Sequence, residues 1–504
     1  MATSVETEQA KLQKLLMKLR QNPNSYEDNM GVAAILTRGC NPFIAATYFK
    51  NALNIKQTPE ALLGLASSYN SSGLVEDAMA LTQSAIKLIP DGQKIKERAY
   101  DLLITSSAAC PSYDQQKILE LSQEFTQKYY KIQEYQGEKK KSEKIKLALV
   151  SPDLHTHPVG IYLASFIKHF NKDDFEIYAY YNNGVNDAIS TEIKEHCYKW
   201  TNTVELSDSQ LFKEIQADGI DIALDLAGYT KNNRMHVLAQ KPAPINVAWM
   251  GYYNTTGNKA IDYILADANI IPESEDKFYS EKIQRLAKSY MPTELTGMST
   301  NVNKESPFEK NGYITFGTLN HVRKANKEVI DLWGKILAQV PESKLLMKGI
   351  MLDDQLLQKY LRSQFAQYDI APGRIIIEGR CTRDEAMEAY NRMDIVLDTF
   401  PFGGGLTSVE NLLMSAPLVT WHGDRFMCRV SSSALKQIGC EELIAYTHED
   451  YVKIAVELAQ DKERIKNYRH TLKDKMLNSP ANAKAFAGHF QDALKDIYKE
   501  NFCS

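Results

Sequence analysis

The sequence predicts two α/β units built on parallel sheets, preceded by an all-helical repeat domain. Three observations carry this reading. Residues 10–135 keep a helical period, with glycine and proline only at turn positions. From residue 145 onward, short apolar runs alternate with helix-like segments, the signature of a parallel sheet. Polar and glycine-rich loops follow the ends of those runs, where such sheets bind ligands.

The chain has 504 residues, 44% hydrophobic and 24% charged, with a net charge of −4. That length suggests about three domains, and the composition is that of an ordinary globular protein. The charge balance gives no reason to expect a nucleic-acid partner. No apolar run reaches the roughly 18 residues of a membrane helix. The first 18 residues are polar and helical in period, unlike a secretory signal. The seven cysteines are scattered with no C-x-x-C pair, which predicts reduced thiols in a cytoplasmic protein, not zinc ligands or a disulfide frame.

In chain order, residues 1–136 are expected to form the helical domain. Tyr69, Gly73, Ala78, Thr82, Ala85 and Pro90 fall at tetratricopeptide spacing, and Ala45, Phe49 and Ala52 form a weaker copy. Two or three such repeats stack into a concave surface suited to a peptide. The charged run 137–144 (G-E-K-K-K-S-E-K) reads as a linker. The first α/β unit, 145–305, has strands at 145–150, 175–181, 220–226, 245–250 and 263–266 and a helix at 161–170. The second, 306–480, has strands at 313–316, 344–348, 374–377, 394–397 and 418–421, a helix at 326–338, and helices from 431 onward. An amphipathic helix within 481–504 is expected to brace the first unit.

The stretch D-T-F-P-F-G-G-G-L-T-S-V-E (398–410) joins a buried strand to a helix through three glycines. Glycines let the backbone approach an anion, and a helix N-terminus presents free N–H groups to it. Gly404, Gly405, Leu406 and Thr407 are therefore candidate phosphate-binding positions, and Glu410, one turn in, is placed for a ribose. The loop is neither a P-loop nor a G-x-G-x-x-G fingerprint; a plain glycine-rich turn is the alternative. His157, after the first strand, is a candidate base or hydrogen-bonding group, with His155 beside it. Lys324, after a strand and before a helix, is placed to neutralise a leaving diphosphate, with Arg323 as the competing cation. No D-x-D pair is present, which favours neutralisation by cations and a helix N-terminus without a metal.

The motifs are S-P-D-L-H-T-H-P-V-G (151–160), A-L-D-L-A-G-Y-T (223–230), K-P-A-P-I-N-V-A-W-M-G-Y (241–252), T-T-G (255–257) and D-Y-I-L-A-D (262–267). F-G-T-L-N-H-V-R-K (316–324), E-A-Y-N-R-M-D-I-V-L-D (388–398), the glycine loop and G-D-R-F-M-C-R-V (423–430) follow. Together they resemble the O-linked N-acetylglucosaminyltransferases with their bacterial and plant relatives, glycosyltransferase family 41. The resemblance covers about 145–480 and implies a GT-B fold, two Rossmann-like domains facing a cleft, and inversion at the anomeric carbon without a metal or other cofactor. It implies that His157 is an active-site histidine, that Lys324 lies on the donor diphosphate and that His321 lies near the same phosphates. Leu406 and Thr407 match two phosphate-binding threonines, Glu410 the acidic residue on the ribose, and Cys381 and Arg383 positions lining the base pocket. Asp225 is the alternative base.

The sequence departs from the family pattern in four places. Ala386 stands in place of a histidine stacked on the base, and Leu406 in place of a threonine. Tyr253-Asn254 replace Pro-Gly, and Asp221 replaces a second active-site histidine of the animal enzymes. The implied function is transfer of N-acetylglucosamine from UDP-N-acetylglucosamine to Ser or Thr of a polypeptide held by the repeats, such as flagellin or an adhesin. UDP-glucose and GDP-fucose are the alternative donors. The rivals are a repeat-based binding protein with an inactive transferase half, favoured by Ala386 and Leu406, and an epimerase on the same fold, which has no use for a peptide-binding domain.

Overall fold

The computed structural model of the chain describes residues 2–503. Every element before the first strand is a helix: Ala2–Gln21, Tyr26–Arg38, Pro42–Ile55, Pro59–Ser71, Val75–Leu88, Lys94–Ser107 and Gln115–Tyr129. Local chemistry sets their ends. Thr58 caps Pro59–Ser71 by accepting a hydrogen bond from the Ala61 N–H, and proline occupies the first helical position, where no N–H is needed. Ala45, Ala52, Ala78 and Ala85 are fully buried, so small residues at the repeat positions let paired helices approach closely.

Strands β1 (Ile145–Ser151), β2 (Phe175–Tyr181), β3 (Lys199–Asn202), β4 (Ile222–Asp225), β5 (Ile245–Ala248), β6 (Tyr263–Asp267) and β7 (Lys282–Leu286) form one sheet, ordered β3-β2-β1-β4-β5-β6-β7. All its pairings are parallel. Strands β8 (Thr315–Thr318), β9 (Lys344–Lys348), β10 (Ile375–Glu378) and β11 (Ile395–Leu397) run parallel in the order β10-β9-β8-β11. Strand β12 (Leu418–Trp421) pairs in parallel with β13 (Ile444–Ala445).

Three strands, β3, β7 and β13, escaped the sequence reading. β3 is K-W-T-N, half exposed with its last residue exposed, β7 is K-I-Q-R-L, buried only at Ile283 and Leu286, and β13 is two residues long, so none shows a continuous apolar run. The helix expected from residue 431 starts five residues earlier, as Phe426–Gln437; the Cys428 and Arg429 that hid its start are buried on it.

The chain divides into two compact units, each drawn from several stretches. One collects the residues up to Ser112, Asn303–Phe402 and Thr447–Lys466; the other collects Tyr113–Val302, Gly403–Tyr446 and the residues from Asn467. In the first, the repeats rest on the α/β core. The Phe43 and Ile44 N–H groups donate to Asp354 Oδ2 at 2.7 and 2.9 Å. Gly73, at φ +86°, brings the turn between two repeat helices against the loop that holds Lys324. A Cβ there would lie 2.8 Å from the Ala325 carbonyl oxygen and 3.1 Å from that of Val322. Gly73→Ala is therefore expected to destabilise the chain by about 1–3 kcal/mol, read as a lower urea midpoint, because strain and a backbone clash coincide.

In the second unit, the last helix, Ala483–Phe502, packs on the seven-stranded sheet's helix Pro158–Ile167. Phe486 lies 4.9 Å from Phe166 and Phe490 lies 4.6 Å from Trp249, centroid to centroid. No helix among the described residues is long and apolar enough to cross a membrane.

Candidate active site

Both sheets reverse direction at one place. The chain runs from β1 outward through β2 and β3, then returns to place β4 on the other side of β1. It does the same from β8 through β9 and β10 to β11. At such a switch point the loops leaving the carboxyl ends of adjacent strands part and open a crevice.

At the β8/β11 switch point the loop carrying His321 and Lys324 faces the start of the glycine loop. Asn320 Nδ2 donates to Asp398 Oδ1 at 3.0 Å, and Asn326 Nδ2 to the Phe400 carbonyl at 2.7 Å. The Lys324 ammonium lies 4.2 Å from the centre of the Phe402 ring and 3.5 Å from Asn320 Oδ1. Arg323 lies over the same ring at 5.2 Å. Burial, and then the Arg323 charge, hold the Lys324 pKa down at about 7, while Asp398 pulls weakly the other way. The lysine is thus a desolvated cation that an anion would recharge. His321 Nδ1 accepts the Arg323 N–H at 3.1 Å, and burial beside two cations lowers its pKa to about 3. Its neutral ring carries the proton on Nε2 and offers that N–H as a donor.

Asn320 and Phe402 were not singled out in the sequence, although Asn320 stands inside the F-G-T-L-N-H-V-R-K motif. Cys381 and Arg383 follow β10, on the far side of β9 from β8, where Thr382 caps the helix Arg383–Ala389. Burial raises the Cys381 pKa.

The second unit holds the remaining positions. The helix Leu406–Leu413 follows the glycines with Gly405 as its cap. The loop is fixed by the Gly403 N–H donating to the Met427 carbonyl at 3.2 Å and by Ser431 Oγ donating to the Gly404 carbonyl at 3.2 Å. Ser408 and Ser431 hydroxyls lie 2.8 Å apart. Thr407 stands in the first turn, and Glu410 is buried one turn in.

His157 and Asp225 lie at the β1/β4 switch point. His157 caps the helix Pro158–Ile167, its Nδ1 accepting the Val159 N–H at 3.4 Å. Burial and the neighbouring His155 lower its pKa to about 4, so the ring is neutral. Asp153 Oδ2 is 3.8 Å from that Nδ1, beyond hydrogen-bond reach. The 3.4 Å bond from Val159 favours the tautomer protonated on Nε2. Asp225 is buried, accepts the Ala227 and Gly228 N–H groups, and has its pKa raised by burial to about 6. Asp221 sits instead at the amino end of β4. It accepts hydrogen bonds from the Ser142 hydroxyl at 2.9 Å and the Lys146 N–H at 2.8 Å, tying down the end of the linker.

The chain matches the model of Glycosyl transferase family 41 over residues 114–311 and 307–489. It belongs to that family. It is similar, at 32% identity over 66% of this chain and 36% of the relative, to the probable UDP-N-acetylglucosamine–peptide N-acetylglucosaminyltransferase SPINDLY of Solanum lycopersicum. It is 22% identical, over 71% of this chain and 41% of the relative, to the UDP-N-acetylglucosamine–peptide N-acetylglucosaminyltransferase of Caenorhabditis elegans. The chain thus spans about two fifths of the length of these curated relatives. A solved mutant of the Thermobaculum terrenum O-GlcNAc transferase superposes with a TM-score of 0.89 at 25% identity, over 98% of this chain and 95% of that one. The family 41 chain thus has the GT-B class of fold, with Rossmann-like sheets preceded by helical repeats, as its sequence predicts.

Proposed function

We propose that this family 41 chain is an inverting, metal-independent protein glycosyltransferase. It moves N-acetylglucosamine from UDP-N-acetylglucosamine to a Ser or Thr hydroxyl of a polypeptide held by the repeats. The observation that carries the reading is the pairing, across the β8/β11 switch point, of a desolvated Lys324 with the start of the glycine loop. The names of the relatives, which specify that donor and a peptide acceptor, support it.

In this reading the departing diphosphate recharges Lys324, which stabilises the negative charge that grows as the glycosidic bond breaks. His321 adds its Nε2–H. The N–H groups of Leu406 and Thr407, the Thr407 hydroxyl and the close-approach glycines 404 and 405 bind the phosphates without a metal. Glu410 accepts from the ribose, and the backbone near Cys381 and Arg383 reads the base. His157 stands at the reacting end as an Nε2–H donor; service as a base requires it to give up the Val159 bond. The linear division into repeats 1–136, linker 137–144, catalytic domains 145–305 and 306–480, and a final helix is part of the proposal. So is a cytoplasmic location, which fits the seven free cysteines.

The test is a donor screen without metal, using UDP-N-acetylglucosamine, UDP-glucose and GDP-fucose, on the parent and on Lys324→Ala. Binding of one donor that collapses in the variant supports the transferase. Binding of none leaves a repeat-based binding protein. The lysine also sets a pH dependence. Above pH 7 the free site has shed the Lys324 proton, so the donor must bind together with a proton. Affinity for UDP-N-acetylglucosamine is expected to fall toward tenfold per pH unit above 7 and to level off below it. Calorimetry in buffers of different ionisation enthalpy reads the proton uptake directly, and a flat profile from pH 6 to 9 excludes this role for Lys324.

A further inference from the structure

The helix Leu406–Leu413 has no side-chain hydroxyl at its cap or first position, and Thr407 and Ser408 follow in its first turn. Gly405 at the cap has no side chain, and Leu406 at the first position brings no hydroxyl. A polar group reaches this point from elsewhere in the second unit. Tyr253 lies in the loop after β5, and its hydroxyl is 3.1 Å from where a Cβ on Gly405 would stand. The ring is packed in place, 6.2 Å from Tyr290 and 6.1 Å from Phe426, centroid to centroid. Tyr290 is fully buried, and Phe426 opens the helix Phe426–Gln437, whose Met427 carbonyl and Ser431 hydroxyl hold the glycine loop. The phenol therefore stands beside the cap of that helix, on a support shared with it. Burial pushes its pKa up to about 12, so it keeps its proton at neutral pH. Leu406 and Tyr253 are two of the four departures noted in the sequence, and the fold brings them to one place.

We propose that Tyr253 donates its phenolic O–H to the donor diphosphate at the N-terminus of the helix Leu406–Leu413, supplying the hydroxyl that position 406 lacks. The inference rests on the donor-site reading above. A phenol hydrogen bond to a charged phosphate is stronger than one between neutral groups, and neither the nucleoside nor the acceptor is touched by it.

The test titrates the full-length chain with UDP and with uridine, and with GDP and guanosine in parallel. Tyr253→Phe keeps the ring and its packing while removing the donor. It is expected to weaken nucleoside diphosphate binding about fivefold to tenfold, to leave nucleoside binding and thermal stability as in the parent, and to regain most of the loss when combined with Leu406→Thr. Unchanged diphosphate binding in Tyr253→Phe overturns the inference, as does an equal loss for diphosphate and nucleoside, which marks a packing role. Lys324→Ala, run alongside, separates the two claims. If it weakens the diphosphate while Tyr253→Phe does not, only the tyrosine inference fails. If Lys324→Ala binds the diphosphate like the parent, the donor-site reading itself fails.

Discussion

Lys324→Met is expected to cut sugar transfer on the order of 10²–10³-fold while leaving the chain at least as stable as the parent. The catalytic half follows from removing a preorganised charge aimed at the departing diphosphate. The stability half follows from the same environment. Burial and Arg323 hold the lysine pKa at about 7, below its ordinary value, so the folded chain binds this proton less readily than the unfolded one. Stability therefore rises with pH between about 7 and the ordinary lysine range, and the full penalty of burying the charge is present below 7. Methionine fills similar space beside Phe402 without that penalty. Thermal unfolding at pH 6.5 is expected to place the variant above the parent, with the gap closing near pH 10. Transfer within threefold of the parent would remove Lys324 from the mechanism; a lower melting temperature would show that its ammonium is held by a net favourable contact.

Arg429→Met is expected to carry the opposite balance, a loss of about 3–5 kcal/mol in stability. The Arg429 guanidinium is buried and grips Glu275 through two parallel bonds of 2.7 and 2.6 Å. It also donates to the carbonyls of Gly423 at 2.8 Å and Ile270 at 3.2 Å. Removing it strands a half-buried carboxylate and two carbonyls whose donors are gone, and the cost of that exposes the asymmetry of such pairs. Adding Glu275→Gln in the same chain is expected to return more than half of the loss, because no charge is then left behind. Urea unfolding of the single and double variants closes the cycle. A double variant as unstable as Arg429→Met alone would locate the cost in packing and not in the stranded charge.

Much of the fold was legible because its strands are short apolar runs with turn chemistry at their ends. β2, β9 and β12 coincide with their expected bounds. Of the strands that were missed, β3 and β7 lie at the two edges of their sheet, where one face or both meet water and the apolar signal thins. The candidate site was legible as loops. Lys324 and the glycines stand out in the sequence as a cation and three glycines that follow apolar runs, a pattern that a plain turn also produces. What joins them was not legible. Asn320 meets Asp398 across 78 positions, and Tyr253 meets Gly405 only because a loop of one sheet folds beneath the glycines. The tautomer of His157 likewise depends on a helix cap that no spacing reveals.

The division into two compact units has a consequence for how the molecule comes to exist. Each unit collects three stretches of chain, so the six stretches give five covalent crossings, one of them inside the glycine loop between Phe402 and Gly403. No contiguous fragment contains one whole unit without stretches of the other. A truncation that removes the repeats also strips the first unit of nearly half its residues, so it cannot be read as a simple loss of substrate grip. The first unit is complete only once Thr447–Lys466 has been made, and the second only once the residues from Asn467 have been made. Closing each unit thus requires contacts between stretches far apart in the sequence.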